Sequence, residues 1–330
     1  MQQRILVTGG SGFIGTHVVA RYAGTGVPVR NLDVCAPRSG AHADLWRRAD
    51  LLDADAMRRE FEEFRPTHVF HLGARTDLNG STLADYRANT EGLGNLLDAA
   101  ATVNELERIV FGSSRLVCRI GYQPRDDADY CPTTAYGESK AQGERVVRQR
   151  GVAAPYSWLI VRPTSIWGPW FGVPYRNFFD AVRRGRYLHP RRHRILKSFG
   201  YVGNSIHQLD RLMFAPRDRV HARMFYLCDY EPIEVRAWAE LIREAFAARP
   251  VREVPFAGLR AAALAGDALE ALGLRNAPLT SFRLANLTTE MLHDTAALEK
   301  VCGALPFSAA QGVRDTVEWI RNTPERSRNA

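Results

Sequence analysis

RILVTGGSGFIG, residues 4–15, decides how the rest of the chain is read. Arg4 to Thr8 is a short apolar run that breaks at a glycine cluster, and Phe13 to Ala23 then carries apolar residues at helical spacing. That order is strand, tight turn, helix. The turn satisfies GxGxxG through Gly10, Gly12 and Gly15, and GxxGxxG through Gly9, Gly12 and Gly15. Glycines let the backbone turn sharply and approach a pyrophosphate that rests on the amides at the helix N-terminus. Gly9, Gly12, Phe13, Ile14 and Gly15 are therefore candidate dinucleotide contacts. With 26 glycines in 330 residues, chance supplies about 0.16 such patterns per chain, so the placement between strand and helix carries the reading.

Asp33 closes a second strand, Val29 to Val34, at the distance from Gly15 expected of a carboxylate that binds the adenine ribose hydroxyls. It would repel a 2′-phosphate, which favours NAD, while Arg30 and Arg38 keep NADP as the alternative. The alternation continues with a helix around Asp53 to Phe64, a strand at His68 to Leu72 and a helix around Leu83 to Ala101. A strand at Arg108 to Gly112, a helix from about Thr134 to Gln149 and a strand at Ser157 to Val161 follow. Repeated βα units need crossovers, which predicts an α/β fold with a Rossmann-like, doubly wound parallel sheet. After Pro163 the rhythm changes to Pro, Gly and aromatic residues in IWGPWFGVPYRNFF, then to short elements and an alanine-rich helical stretch. We read residues 1–165 as a dinucleotide-binding domain and 166–330 as a smaller, mixed α/β substrate domain, with some segments after 200 returning to the first. Helices are expected at about Glu234 to Ala247, near Thr295 to Val301, and at Ala309 to Arg321.

Catalytic chemistry enters at Tyr136 and Lys140. At i and i+4 they share one helix face, which sets an ammonium beside a phenol whose free pKa near 10 needs such a neighbour if it is to act as a base. Only Lys140, Lys197 and Lys300 are lysines against 41 arginines, so a lysine here is informative. A compact ammonium can touch both a ribose and the tyrosine, whereas a planar guanidinium would not fit equivalently.

These residues resemble the extended short-chain dehydrogenase/reductase family, of the nucleotide-sugar epimerase/dehydratase type. The resemblance rests on TGGSGFIG, Asp50-Leu51, His71-Leu72-Gly73-Ala74, Asn89 in NTEG, Ser113-Ser114, Tyr136-Gly137-Glu138-Ser139-Lys140 and Arg162-Pro163-Thr164-Ser165-Ile166-Trp167-Gly168-Pro169. It implies that Asp50 and Leu51 flank the adenine, that Leu72, Gly73 and Ala74 line the cofactor, and that Asn89 and Pro163 lie near it. It further implies a Ser-Tyr-Lys set. Aligning the strand RIVF selects Ser114 as its hydroxyl, and aligning on GSS selects Ser113; we take Ser114 as the first choice. For substrate, the resemblance implies a nucleotide-diphosphate sugar met by Ser114, Ser165 and Lys197, with Arg176, Asn177 and Arg283 as further candidates. Family members pair through a four-helix bundle, which implies a homodimer through the helices holding Leu83 to Ala101 and Thr134 to Gln149.

Arg115 and Leu116 follow the serine pair where 4,6-dehydratases and uronic-acid decarboxylases carry acidic residues for elimination. Hydride chemistry at one sugar carbon remains. The expected reaction is C4 epimerisation through a transient keto sugar, with Tyr136 as base, and the alternative is NAD(P)H-dependent reduction of a 4-keto sugar. Leu116 and Cys118 stand where galactose-type epimerases carry a small polar residue and a tyrosine, and Asn204 stands where the family's RDFxxVxD segment ends in aspartate.

Composition excludes several classes. Apolar residues make up 45% and charged residues 24%, an ordinary globular balance, and no apolar run approaches the roughly 18 residues of a membrane span. The N-terminal MQQRILVTGG lacks a basic and apolar leader, so a cytoplasmic protein without a membrane partner is expected. Cys35, Cys118, Cys131, Cys228 and Cys302 are odd in number and form no CxxC pair, which reads as reduced thiols and no metal. The net charge is +8, and RRGRYLHPRRHR at 183–194 is its only dense cluster. With no nucleic-acid-binding motif beside it, that excess fits a phosphate-rich cofactor and substrate better than nucleic acid.

Overall fold

The structure, a computed structural model, describes residues 2–173, 175–273 and 279–323. In chain order it contains β1 (Ile5–Thr8), α1 (Phe13–Tyr22), β2 (Val29–Asp33), β3 (Trp46–Arg48), α2 (Ala54–Phe64) and β4 (His68–His71). Then come α3 (Arg87–Ala100), β5 (Arg108–Gly112), α4 (Ala135–Gly151), β6 (Ser157–Pro163), β7 (Ser165–Trp167), α5 (Tyr175–Arg183) and β8 (Leu188–Pro190). These are followed by β9 (Leu196–Lys197), β10 (Phe199–Tyr201), α6 (Val202–Phe214), α7 (Arg217–Val220), β11 (Arg223–Leu227), β12 (Ile233–Glu234) and α8 (Val235–Phe246). The last are β13 (Arg252–Val254), α9 (Phe256–Ala271), α10 (Ser281–Thr288), α11 (Ala296–Cys302) and α12 (Ala309–Asn322).

Seven strands form one sheet in the order β11-β6-β5-β4-β1-β2-β3, with all six neighbouring pairs parallel. This is the Rossmann-like arrangement, with the strand order reversing beside β1. Alternate side chains feed two cores. Ile5, Val7, Phe70, Val110, Leu159 and Val161 enter one cluster, and Leu6, Val69, Ile109, Phe111 and Ile160 enter the other. Both faces of the sheet are thus apolar, which is why these strands read as continuous apolar runs. β3, sequence WRR, was not expected, because it is short, carries two arginines and is largely exposed. The helix expected from Leu83 is broken at Tyr86: a single turn over Leu83–Tyr86, closed by reciprocal Thr82 and Asp85 bonds, precedes α3.

Two compact units divide the chain. The first comprises Met1–Ile166, Gly200–Tyr230 and Asp294–Pro306, and the second Trp167–Phe199, Glu231–His293 and Phe307–Ala330. The second unit is built on aromatic rings. Trp238 stacks on Phe178 at 4.8 Å and meets Trp167 at 5.3 Å, while Trp170 and Phe171 lie against Trp319 at 5.8 and 6.1 Å. Trp167, Trp170 and Phe171 are thereby used in packing. A small separate cluster joins α9 to α10 through Leu259, Ala263 and Leu284. Among the described residues all five cysteines are free thiols and no helix is long and apolar enough to cross a membrane.

Candidate active site

The turn after β1 is shaped by what its glycines touch. Gly9 has φ +71°, and a Cβ there would lie 2.6 Å from the Gly73 nitrogen. A Cβ on Gly15 would lie 2.0 Å from the Gly9 carbonyl oxygen, so any side chain would push α1 off the turn. Gly12 is the N-cap of α1 and no side chain caps the amides of the first turn. That leaves a helix N-terminus shaped to receive an anion, with Phe13 and Ile14 opening it. Asp33 sits at the end of β2, its Oδ2 accepting from the Ser11 amide at 3.0 Å and its Oδ1 from the Cys35 amide at 2.9 Å. A carboxylate offers about four lone-pair sites, so two remain for ribose hydroxyls. Arg38 donates from Nε to the Ser11 carbonyl at 3.1 Å, beside Asp33.

Asp50 Oδ1 accepts from the Leu52 amide at 2.9 Å, and the Leu51 carbonyl accepts from Asn95 at 2.8 Å, which ties this corner to α3. A Cβ on Gly73 would meet the Leu51 side chain at 3.1 Å, so Leu51 and the Leu72-Gly73-Ala74 segment share one wall. Thr8 holds that wall in place: its hydroxyl meets His71 Nδ1 at 2.8 Å and accepts from the Gly73 amide at 3.2 Å. Burial, with Lys140 adding to it, pushes the His71 pKa down to about 3, so the imidazole is neutral.

Asn89 has hydrogen bonds that serve the fold. Its Oδ1 accepts from the Arg75 amide at 2.8 Å, and its Nδ2 donates to the Arg75 carbonyl at 3.0 Å and to Ser139 Oγ at 2.9 Å. Both N–H donors of the amide are used within the protein, where the side chain latches the loop after β4 to α4.

Thr134 caps α4, accepting from the Gly137 amide at 3.0 Å, and so sets the start of the helix that carries Tyr136 and Lys140. Tyr136 is buried with its ring 5.9 Å from that of Tyr86, and the Ser114 side chain lies beside its phenol. Ser113 turns away, donating to Glu144 Oε1 at 2.5 Å. The serine pair is thus divided by neighbouring partners, and Ser114 is the hydroxyl brought to Tyr136. Lys140 Nζ donates to the Gly112 carbonyl at 2.8 Å. The expectation of a phenol acidified by its neighbour is corrected here. Burial pushes Tyr136 up to about 12, partly offset by the neighbouring Ser114, while burial brings Lys140 down to about 8, with Glu144 pulling the other way. Both groups resist charge because both are desolvated.

Sequence reading missed what lies one turn further along α4. Glu144, 2% exposed, binds Arg162, 0% exposed, through Oε1 to Nε and Oε2 to Nη2, each at 2.8 Å. Tyr130 donates to Glu144 at 3.1 Å, and Arg162 also donates to the Asp127 carbonyl at 2.6 Å. The signal was the spacing Tyr136, Lys140, Glu144, a polar stripe at i, i+4 and i+8. The aspartate-to-asparagine exchange at position 204 also finds its reason. Asn204 Nδ2 donates to Asp229 at 3.0 Å inside the first unit, where an aspartate would set two buried carboxyls together.

Pro163 ends β6 and Ser165, buried, opens β7. In the second unit, Arg176 is buried, its Nε 3.2 Å from Asp180 and its guanidinium 5.4 Å above the Trp319 ring; its Nη2 has no hydrogen-bond partner. Asn177 and Arg283 are exposed on α5 and α10. Lys197 is buried, and its ammonium donates to the carbonyls of Asn286 at 2.7 Å and of Thr289. Those bonds satisfy the C-terminal end of α10. The phosphate contact implied for Lys197 is not among them.

Residues 5–187, more than half of the chain, match the NAD dependent epimerase/dehydratase family. The chain belongs to that family. Among curated relatives of this epimerase/dehydratase chain, a 3 beta-hydroxysteroid dehydrogenase/Delta 5-->4-isomerase of Mycobacterium tuberculosis is 30% identical over 260 residues, covering 73% of this chain and 69% of the relative. An N-acetyl-alpha-D-glucosaminyl-diphospho-ditrans,octacis-undecaprenol 4-epimerase of Escherichia coli O157:H7 is 29% identical over 209 residues, 62% of each chain. A UDP-glucose 4-epimerase of Thermotoga maritima, solved with UDP-glucose, superposes with TM-score 0.74 at 20% identity over 97% of this chain and 99% of that one. A Thermus thermophilus UDP-glucose 4-epimerase, solved with NAD, gives 0.72 at 22% identity over 98% and 100%.

Proposed function

We propose that the protein is an NAD-dependent 4-epimerase of a sugar carried on a diphosphate. The observation that carries this is the placing of Ser114 beside buried Tyr136 on a helix that also buries Lys140, with Leu116 where elimination would need an acid. The cofactor fits the first unit. Gly9, Gly12, Phe13, Ile14 and Gly15 would seat its pyrophosphate, Asp33 its adenine ribose, Asp50 and Leu51 its adenine, and Leu72, Gly73, Ala74 and Pro163 its remaining length. Asp33 favours NAD over NADP. When bound, NAD accepts a hydride from a substrate carbon and returns it.

The chain's own residues handle protons and position. Tyr136 takes the proton of the C4 hydroxyl as the carbonyl forms and returns one as the hydroxyl re-forms, and Ser114 holds that oxygen. Lys140, one turn further along α4, would offer its ammonium to the cofactor's ribose. Arg176, with a buried nitrogen lacking a partner, is the first candidate for a diphosphate oxygen; Ser165, Asn177 and Arg283 remain secondary contacts. The reading includes a cytoplasmic homodimer through α3 and α4.

A second reading, oxidation of an apolar secondary alcohol, is favoured by the hydroxysteroid dehydrogenase relative. One panel separates them. Purified protein with NAD is offered UDP-, GDP- and dTDP-sugars, a polyprenyl-diphosphate N-acetylhexosamine and a 3β-hydroxysteroid. An epimer formed without net NADH supports the first reading. Net NADH from the steroid, with every sugar unchanged, overturns it.

A further inference from the structure

We propose that Cys118 and Cys131 are a redox-modification site, and that closing them to a disulfide shifts the start of α4 and slows turnover. The two residues face each other across an isolated parallel bridge. The Cys131 amide donates to the Val117 carbonyl at 2.9 Å, and the Arg119 amide to the Cys131 carbonyl at 2.7 Å. Residues facing each other in a parallel register put their side chains on the same side, with backbones about 4.8 Å apart. That lies within the span of about 4.4–6.8 Å that a disulfide bridges between Cα atoms. Both are free thiols in the structure. Cys118 is buried beside Val117, Ala141, Tyr122 and Tyr130, its Sγ donating to the Asp129 carbonyl at 3.3 Å, while Cys131 is half-buried and reaches solvent. Cys131 therefore meets an oxidant first and Cys118 resolves the product. With hydrogen peroxide as oxidant, the Cys131 thiolate takes one peroxide oxygen, giving a sulfenic acid and hydroxide, and the hydroxide takes up the proton that the thiol released. The Cys118 sulfur then displaces that oxygen: the S–S bond forms, the S–O bond breaks, and the oxygen leaves as water with the Cys118 proton. Two thiols have lost two electrons, and peroxide has become two waters.

The bridge joins the two segments that hold the site's hydroxyls. Cys118 lies four residues after Ser114, and Cys131 five before Tyr136. Between them there is no slack. A Cβ on Gly137 would stand 2.2 Å from the Leu116 carbonyl oxygen and 3.2 Å from Pro132 Cβ, so the first turn of α4 is pressed against the chain just before Cys118 and just after Cys131. Thr134, which caps that turn, is three residues beyond Cys131. A disulfide holds its Cβ atoms about 3.8 Å apart, nearer than paired strands, so closure draws the two segments together by about 1 Å. Pro132 and Thr134 pass that movement to Tyr136, and Cys118 gives up the Asp129 carbonyl. Misplacing a reacting group by about 1 Å can cost about 10²-fold in rate. In a reducing compartment such a bond is transient, closed by peroxide and reopened by thiols.

The test treats the full chain with a small excess of hydrogen peroxide and digests it, unreduced, with trypsin. The expected product is LVCR (residues 116–119) linked to DDADYCPTTAYGESK (residues 126–140), lighter by two hydrogens than the free peptides together. Amide exchange over residues 132–140 should quicken about threefold and turnover fall about tenfold, with both restored by dithiothreitol. C118A and C131A should keep the turnover of the reduced parent and show neither reversible change. The turnover arm rests on the function proposed above; the peptide and exchange arms need no substrate, so a protein inactive on every sugar still decides the site. Absence of the linked peptide overturns the proposal, as does a linked protein whose exchange, or whose measurable turnover, equals that of the reduced parent. Reversible losses that persist in both single variants overturn it too.

Discussion

Helices α4 and α9 invert the usual division of side chains in opposite ways. α4 buries Tyr136, Lys140 and Glu144 in a row, whereas α9 buries a leucine, an alanine and a glycine and leaves Leu264, Leu269 and Leu272 in water. The units that hold them differ to match. The first has 25 basic and 24 acidic side chains and the second 19 and 12, so nearly all of the +8 belongs to the unit with the exposed apolar helix. A buried charge needs an assigned partner and makes its helix intolerant of change. An exposed leucine needs none and leaves its helix free to serve an outside surface.

Breaking α4 should cost most. Tyr136→Phe is expected to lower turnover by about 10²- to 10⁴-fold while NAD binding is retained, measured by steady-state rates and by cofactor titration. Retained turnover would remove Tyr136 as the proton carrier. Next is Glu144→Ala, which strands the Arg162 guanidinium without its carboxylate. A loss of about 3–5 kcal/mol should appear in urea unfolding. It also removes the neighbour that raises Lys140, so any rate limb reporting Lys140 should move below pH 8.

The third prediction concerns acid. His71 has a folded pKa of about 3 against 6.5 unfolded, so the unfolded chain binds the extra proton between those values and stability falls as pH drops through that window. Asp229, raised to about 7 mainly by burial, works in the opposite sense between about 4 and 7. Subtracting the profile of His71→Asn from that of the parent isolates the histidine, and the variant should show the flatter acid limb. The smallest effect is expected on α9, where Leu272→Ser should change stability by no more than about 0.5 kcal/mol in the same urea assay. A larger loss would mean that Leu272 packs against something in solution and would erase the contrast between the two helices.

The same contrast governs how much could be read beforehand. Strand, turn and helix at residues 4–15, Asp33 and the Tyr136-Lys140 pair were legible, because glycine geometry and helical spacing are local rules. Glu144 was visible as a spacing but its partner Arg162 was not, since that bond joins α4 to β6 across 18 positions. Lys197 shows the limit of resemblance: a rare lysine in a family segment was expected to face phosphate, and its bonds go to the end of α10, a helix whose position no local pattern announces. Asn89 likewise holds the expected place while its hydrogen bonds serve the fold. β3 escaped notice because one tryptophan and two arginines carry no periodic signal.

The Asn204-Asp229 pair has a consequence of its own. A carboxyl that burial raises to about 7 exchanges its proton near neutral pH. The amide opposite donates to it whether it is ionised or neutral, so the bond survives while the charge comes and goes. Beside the end of β11 the Asp229 carboxyl would thus change charge near neutral pH while keeping the Asn204 bond, a change that its carboxyl carbon chemical shift would follow.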